Sequence, residues 1–145
     1  MKKYILRIFL FFVISIVSFS ANYSIKNLDV RAVLRKDGSM LVNEVVTYKI
    51  GDINGVYFDI DAKGYGGVKS LKVFENDINY PENKFKEVNA SNFEVTENDG
   101  VYRLKLYSKN KNNTRIFKFS YELSEVIKVY NDLAKLNRKM VGQDW

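Results

Sequence analysis

The stretch LDVRAVLRKDGSMLVNEVVTYKI, Leu28 to Ile50, constrains the fold more than any other part of the chain. Leu28, Val30, Ala32 and Leu34 alternate with polar residues such as Asp29, Arg31 and Arg35. Side chains two apart on a strand share a face, so this spacing predicts a strand with one buried side. "KDGS" supplies a turn in which Gly38 can take a positive φ. A second strand runs from Met40 to Ile50 and sets Met40, Val42, Val46, Tyr48 and Ile50 on one side. The two together predict a long antiparallel hairpin.

The remainder of the chain continues in the same manner. The glycine-rich "GDINGVYFDIDAKGYGG" holds one short strand, Val56 to Ile60, between turn signals. Val68 to Phe74 alternates imperfectly, and "INYPENK", with the sole proline, reads as an edge or loop. Phe93 to Thr96, the turn "ENDG" and Val101 to Tyr107 predict a second hairpin, with Tyr102, Leu104 and Leu106 facing inward. "RIFKFSYEL" gives another strand, with either Ile116 or Phe117 on the inner side. From Ser124 the pattern is two-sided. Val129, Leu133, Leu136 and Met140 recur at helical spacing, and the alternative is a continued strand with a bend at "YND". Strands separated by regular turns, with no βαβ alternation, predict an all-β antiparallel sandwich.

The first residues bear on location. "MKKYILRIFLFFVISIVSFSA" opens on Lys2 and Lys3 and runs into an apolar stretch, with small residues at Ser18 and Ser20. That is the pattern of a secretory signal over residues 1–20, cut before Ala21 to leave a domain over 21–145. The rival reading is an uncleaved anchor: Tyr4 to Ala21 is only just long enough to span a bilayer, and Arg7 interrupts it. Either way the expected location is exported, periplasmic or at the cell surface.

The net charge of +6 invites a nucleic-acid reading, but Lys2, Lys3 and Arg7 belong to the leader. Without them 20 basic residues face 17 acidic ones, with no run or one-sided basic face, so no nucleic-acid partner is expected. The densest basic patch, "KNKNNTR" from Lys109 to Arg115, reads as a polar hairpin loop. The sequence holds neither cysteine nor histidine. This excludes disulfides, a lipoprotein anchor, zinc and copper sites, and every Ser–His or Cys–His device.

Glu44 leads the candidate functional residues. Its strand period places a carboxylate on the face of Val42, Val46 and Tyr48, where burial is unfavourable unless an Arg, Lys or Tyr hydroxyl answers it. A general acid or a ligand site is the functional reading, and structural pairing is the ordinary one. Asp59 and Asp61 lie two apart and project to one side, with Asp52 nearby. Three oxygens could hold calcium, though without the spacing of an EF-hand loop, and solvated turn acids are the default. Adjacent side chains on one strand are too close for a glycosidase pair. No catalytic residue, metal ligand or cofactor is assigned. Tyr57, Tyr65 and Tyr80, in or near loops, are candidates for stacking on sugars or a partner.

The chain resembles the N-terminal domain of the DUF2207 family of predicted bacterial and archaeal membrane proteins, from Tyr23 to Trp145. "DGSMLVNEVVTYKI" carries the likeness, as do "NGVYFDI", similar to the family's G-I/V-Y-R-D-I, and "YELSEVIKVYNDLAKLNRKMVGQDW". The chain departs from the family at Phe58, where Arg is usual, and at Asp61, where Pro is frequent. Lys135 and Arg138 stand where the family has an acid and a tryptophan. The resemblance implies a secreted β-sandwich, weighs against a terminal helix, and offers no catalytic residues to carry over. Trp145 falls on the tryptophan of the family's G-x-x-W, after which those chains run on into further strands and the membrane. The expectation is therefore a product cut short, with an incomplete sandwich. The functional expectation is a binding or assembly module of the bacterial envelope, its partner an envelope protein or a membrane portion. The alternative is a carboxylate-based or calcium-dependent hydrolase using Glu44 with Asp59 and Asp61.

Overall fold

A computed structural model of the chain describes residues 22–83, 91–107 and 113–136. Residues 1–20, expected to be a leader, with Ser18 and Ser20, together with Lys109, Lys111, Arg138, Met140 and Trp145, lie outside the described residues. The described residues form ten strands and no helix. They are β1 (Tyr23–Leu34), β2 (Met40–Ile50), β3 (Gly55–Asp61), β4 (Val68–Glu75) and β5 (Ile78–Tyr80). They continue as β6 (Phe93–Asn98), β7 (Val101–Tyr107), β8 (Asn113–Leu123), β9 (Ile127–Val129) and β10 (Ala134–Leu136).

Five strands in the order β1-β2-β8-β4-β5 form one sheet, and β3-β7-β6 form a second, all antiparallel. The expected all-β sandwich follows from their alternation. On β2 every inward residue from Met40 to Ile50 is buried, and on β8 the inward set is Arg115, Phe117, Phe119, Tyr121 and Leu123. Val56, Phe58 and Ile60 of β3 and Leu104 and Leu106 of β7 meet them from the other sheet. Phe58 stacks on Phe119 with ring centroids 3.7 Å apart and planes 4° from parallel. The Tyr48 hydroxyl donates to the Tyr57 carbonyl at 3.2 Å, and the Tyr80 hydroxyl donates to the Tyr107 carbonyl. Both bonds cross from one sheet to the other.

The sandwich is joined along one margin. Beyond β5, Glu82 bridges in parallel to Phe93 of β6, with Asn83 N–H donating to the Phe93 carbonyl at 2.6 Å and Phe93 N–H to the Pro81 carbonyl at 3.0 Å. The opposite margin, between β1 and β3, carries no such link among the described residues. Three strands cannot cover five, so the inward side chains of β1, from Tyr23 to Ala32, are only half-buried.

Several expectations change against this frame. Leu34 does not share the buried face: it is 44% exposed, because the end of the edge strand runs past the covering sheet. A bulge between Ile25 and Asn27 shifts the inward set of β1 from odd to even positions, which alternation from Leu28 onward could not reveal. Phe117, not Ile116, faces inward. Thr114 and Arg115 belong to β8 and not to a polar loop, and Arg115 is buried. Tyr80 is buried on the short edge strand β5. From Ser124 to Leu136 the tail is no helix. Tyr130 N–H donates to the Leu133 carbonyl at 2.7 Å, closing a turn between β9 and β10 at the "YND" bend. β-branched Val126, Ile127 and Val129 favour the extended form, and Asn131 and Asp132 suit the turn.

Candidate functional site

Glu44 lies inside the sandwich, opposite Val30 on one side and Phe119 on the other. The Tyr121 hydroxyl, from the neighbouring strand, donates to its Oε1 at 2.5 Å. A phenol donor satisfies a carboxylate without a second charge, and its ring continues the apolar face. Burial pushes the Tyr48 hydroxyl far above the ordinary tyrosine range, and the charges of Tyr23, Glu44 and Asp59 act in the same direction.

Asp59 and Asp61 point the other way. β3 turns Phe58 and Ile60 inward and sets both aspartates on its exposed face. The three-stranded sheet therefore stands between them and Glu44, and the three carboxylates do not meet in one site. Asp59 is clamped by Arg103 directly across the β3–β7 ladder, with Nε at 2.9 Å and Nη2 at 2.7 Å, and that bond holds the Arg103 guanidinium above its usual range. Asp61 accepts the Lys63 backbone N–H at 3.0 Å, and Asp52 lies exposed in the β2–β3 loop. Among the described residues no three His, Cys, Asp or Glu side chains converge as a metal centre. Tyr57 lies under the Arg103 guanidinium, 5.9 Å from it, on the same outer face.

A second buried charge went unnoticed in the sequence. Arg115 pairs through Nε and Nη2 with both carboxylate oxygens of Glu75, and its side chain is 3% exposed. It also lies 5.2 Å from the Phe117 ring centroid. A guanidinium is tolerated there because a planar fork meets a planar carboxylate and an aromatic face. Nearby, burial raises the Tyr80 hydroxyl while the Arg115 charge opposes that shift. This end of the sandwich is filled and tied.

The opposite end is open. There the β1–β2 turn, the loop from Ala62 to Gly67 and the β9–β10 hairpin come together. Val126 N–H donates to the Gly38 carbonyl at 3.1 Å, Gly66 N–H to Ser124 at 2.8 Å, and Ser124 N–H to Gly67 at 3.2 Å. Gly38 and Gly67 have φ of 80° and 94°, which glycine accepts without strain. Between loop and hairpin runs a groove of about 260 Å³, lined by Lys63, Gly64, Tyr65, Val126, Lys128, Tyr130 and Lys135. Lys63 reaches Asp99 at 3.2 Å, an exposed contact. Lys128 and Lys135 oppose each other directly in the hairpin register. Ammonium groups only donate hydrogen bonds, so this lining suits a ligand rich in acceptor oxygens. Of the tyrosines singled out from the sequence, Tyr65 lies here. Nothing local in the sequence marks Lys128 or Lys135 as part of a site. Their signal is the pairing of like charges, visible once the hairpin is known.

A family model described as the N-terminal domain of DUF2207, a predicted membrane protein, matches residues 24–145. No curated protein gives a match.

Proposed function

The chain belongs to the DUF2207 N-terminal domain family of predicted membrane proteins, and from that premise we propose that it is a β-sandwich binding module of the bacterial envelope, exported to the outer side of the membrane. The observation that carries this reading is the groove at the hairpin end. It gathers three lysines and two tyrosines with no carboxylate in its lining, while Glu44 is answered by Tyr121 and Asp59 by Arg103. Such a lining recognises without supplying an acid–base pair. The basic, then apolar, then small-residue order of residues 1–20 supports export.

A fusion of the full chain to alkaline phosphatase, which is active only outside the cytoplasm, tests the location in a bacterial host. Active phosphatase is expected, and an inactive fusion overturns export. A photo-crosslinking residue at Tyr65 tests the binding role in the same cells. Adducts with envelope components are expected, whereas adducts confined to cytosolic proteins overturn the reading.

A further inference from the structure

Beyond its root, the β9–β10 hairpin is exposed among the described residues. Its register, Ala134 opposite Val129, Lys135 opposite Lys128 and Leu136 opposite Ile127, sorts its side chains onto two faces. Lys128, Tyr130 and Lys135 line the groove. The other face shows Val129 at 78% exposure, with Leu136, and Leu133 is exposed in the turn. A two-stranded hairpin in water is marginal even with a favourable sequence. Here it exposes an apolar face and opposes two like charges across a rung, an arrangement that disfavours the pairing. Neither lysine forms an ion pair with a described residue. Both costs disappear in one environment, an apolar layer bordered by negative charge.

We propose that the β9–β10 hairpin docks on the surface of an anionic lipid bilayer. Val129, Leu133 and Leu136 enter the boundary of the acyl region, and Lys128 and Lys135 meet the headgroup phosphates. Tyr130 sits at the level where an aromatic ring with a polar tip is favoured. Charge complementarity selects this occupant over an apolar protein surface. From Val126 to Met140 the sequence holds Lys128, Lys135, Arg138 and Lys139 against the single acid Asp132. A basic segment with one apolar face is the composition that binds anionic interfaces. Long lysine stems let the ammonium groups reach outward while their methylenes stay with the apolar residues. The root is fixed, since Val126 is buried and its N–H is held by Gly38. The hairpin therefore projects from a fixed root. This inference rests on the reading of the chain as a membrane-related binding module and names the partner of that end.

The sequence has no cysteine, so a nitroxide attached to Leu133→Cys in the full chain reports on the hairpin alone. A label at Ile78→Cys, exposed at the opposite end of the sandwich, serves as the reference. Vesicles of phosphatidylcholine with and without phosphatidylglycerol are the probe. On vesicles containing phosphatidylglycerol, the label at 133 should become shielded from a water-soluble nickel chelate while the label at 78 stays accessible. In the Lys128→Gln, Lys135→Gln chain the immersed-to-exposed ratio should fall roughly 25-fold, about fivefold per lysine. An unchanged thermal midpoint in that variant shows that the fold is intact. A label at 133 that stays aqueous on every vesicle overturns the proposal. So does equal immersion with phosphatidylcholine alone, or in the glutamine variant. Shielding that depends on protein concentration without lipid makes a second copy the occupant, and competition by inorganic phosphate makes it a soluble anion. Both also overturn it. Vesicle contact is measured wherever the chain resides in a cell, so this failure and a failure of export are separable.

Discussion

Glu44 and Tyr121 are 77 residues apart in sequence and share a hydrogen bond inside the sandwich. The carboxylate is 6% exposed and the tyrosine fully buried. A carboxylate placed by strand period among apolar neighbours thus has its answer on the adjacent strand, two positions from the residue facing it. The arrangement is a buried structural pair whose members depend on each other.

A double-mutant cycle measures that dependence. Tyr121→Phe, which removes the donor and leaves the carboxylate buried, should cost about 1.5–3 kcal/mol. Glu44→Gln should cost less, since an amide oxygen still accepts. Urea midpoints of the single and double variants should show a coupling of about 1 kcal/mol or more. Strict additivity would mean that the charge of the carboxylate adds nothing to the hydrogen bond.

For Arg115, removal of one partner exposes the other to an apolar interior. Arg115→Ala should destabilise by about 3–5 kcal/mol, and Arg115→Lys should recover only part of that, because an ammonium cannot fork onto both oxygens. Chemical denaturation of the two variants checks the order. A lysine variant as stable as the parent would remove the case for bidentate geometry.

Stability should fall in alkali. Tyr48 and Tyr80 both have folded pKa values raised above tyrosine's usual value of 10.0, chiefly by burial. The unfolded chain then loses protons that the folded chain keeps, so stability is full below about pH 10 and declines above it. The slope reaches about 1.4 kcal/mol per pH unit for each tyrosine. Thermal midpoints of the parent and Tyr48→Phe across this range test it, and the variant should show the shallower decline. An identical slope in both would exclude Tyr48 as a contributor.

Gly55 opens β3 opposite Tyr107, and a Cβ there would fall within the contact distance of the Leu106 carbonyl oxygen. Backbone cannot swing aside as a flexible side chain can. Gly55→Ala should therefore lose about 1–3 kcal/mol, as overpacked sites do. Gly64→Ala is the comparison, since its Cβ would meet nothing within 4 Å and only its φ of 77° resists the change. Circular dichroism melts should rank Gly55→Ala as no more stable than Gly64→Ala.

How much of this was legible follows from the range over which each signal acts. The limits of β2 and the inward facing of Glu44 are written in consecutive residues, and the sequence predicts both. Arg115 sits in a run of polar residues, and its partner Glu75 is 40 positions away. Nothing local distinguishes it from a loop cation. The tail shows the opposite failure. Val129, Leu133 and Leu136 have helical spacing, yet their burial is what a helix would need, and in the hairpin all three are exposed. Tertiary context overrides a short periodic match of this kind. The groove was unreadable for the same reason, since its walls come from residues 63–65 and 126–135, which only the fold brings together.

The pairing of β2 with β8 also sets an order in time. Its rungs join residues 63 to 83 positions apart, from Ile50 with Asn113 to Met40 with Leu123. β8 is the central strand of its sheet, with β2 on one side and β4 on the other. Until it emerges, Val42, Val46 and Tyr48 have no neighbour on that flank and β4 has no partner but β5. Closing so long a loop is slow, and the apolar face of the early hairpin stays wet meanwhile. A chain made from its N-terminus thus has the residues before Asn113 in place before its keystone strand begins to emerge. During that interval the exposed apolar face of the β1–β2 hairpin is the part of the chain most open to association with other chains.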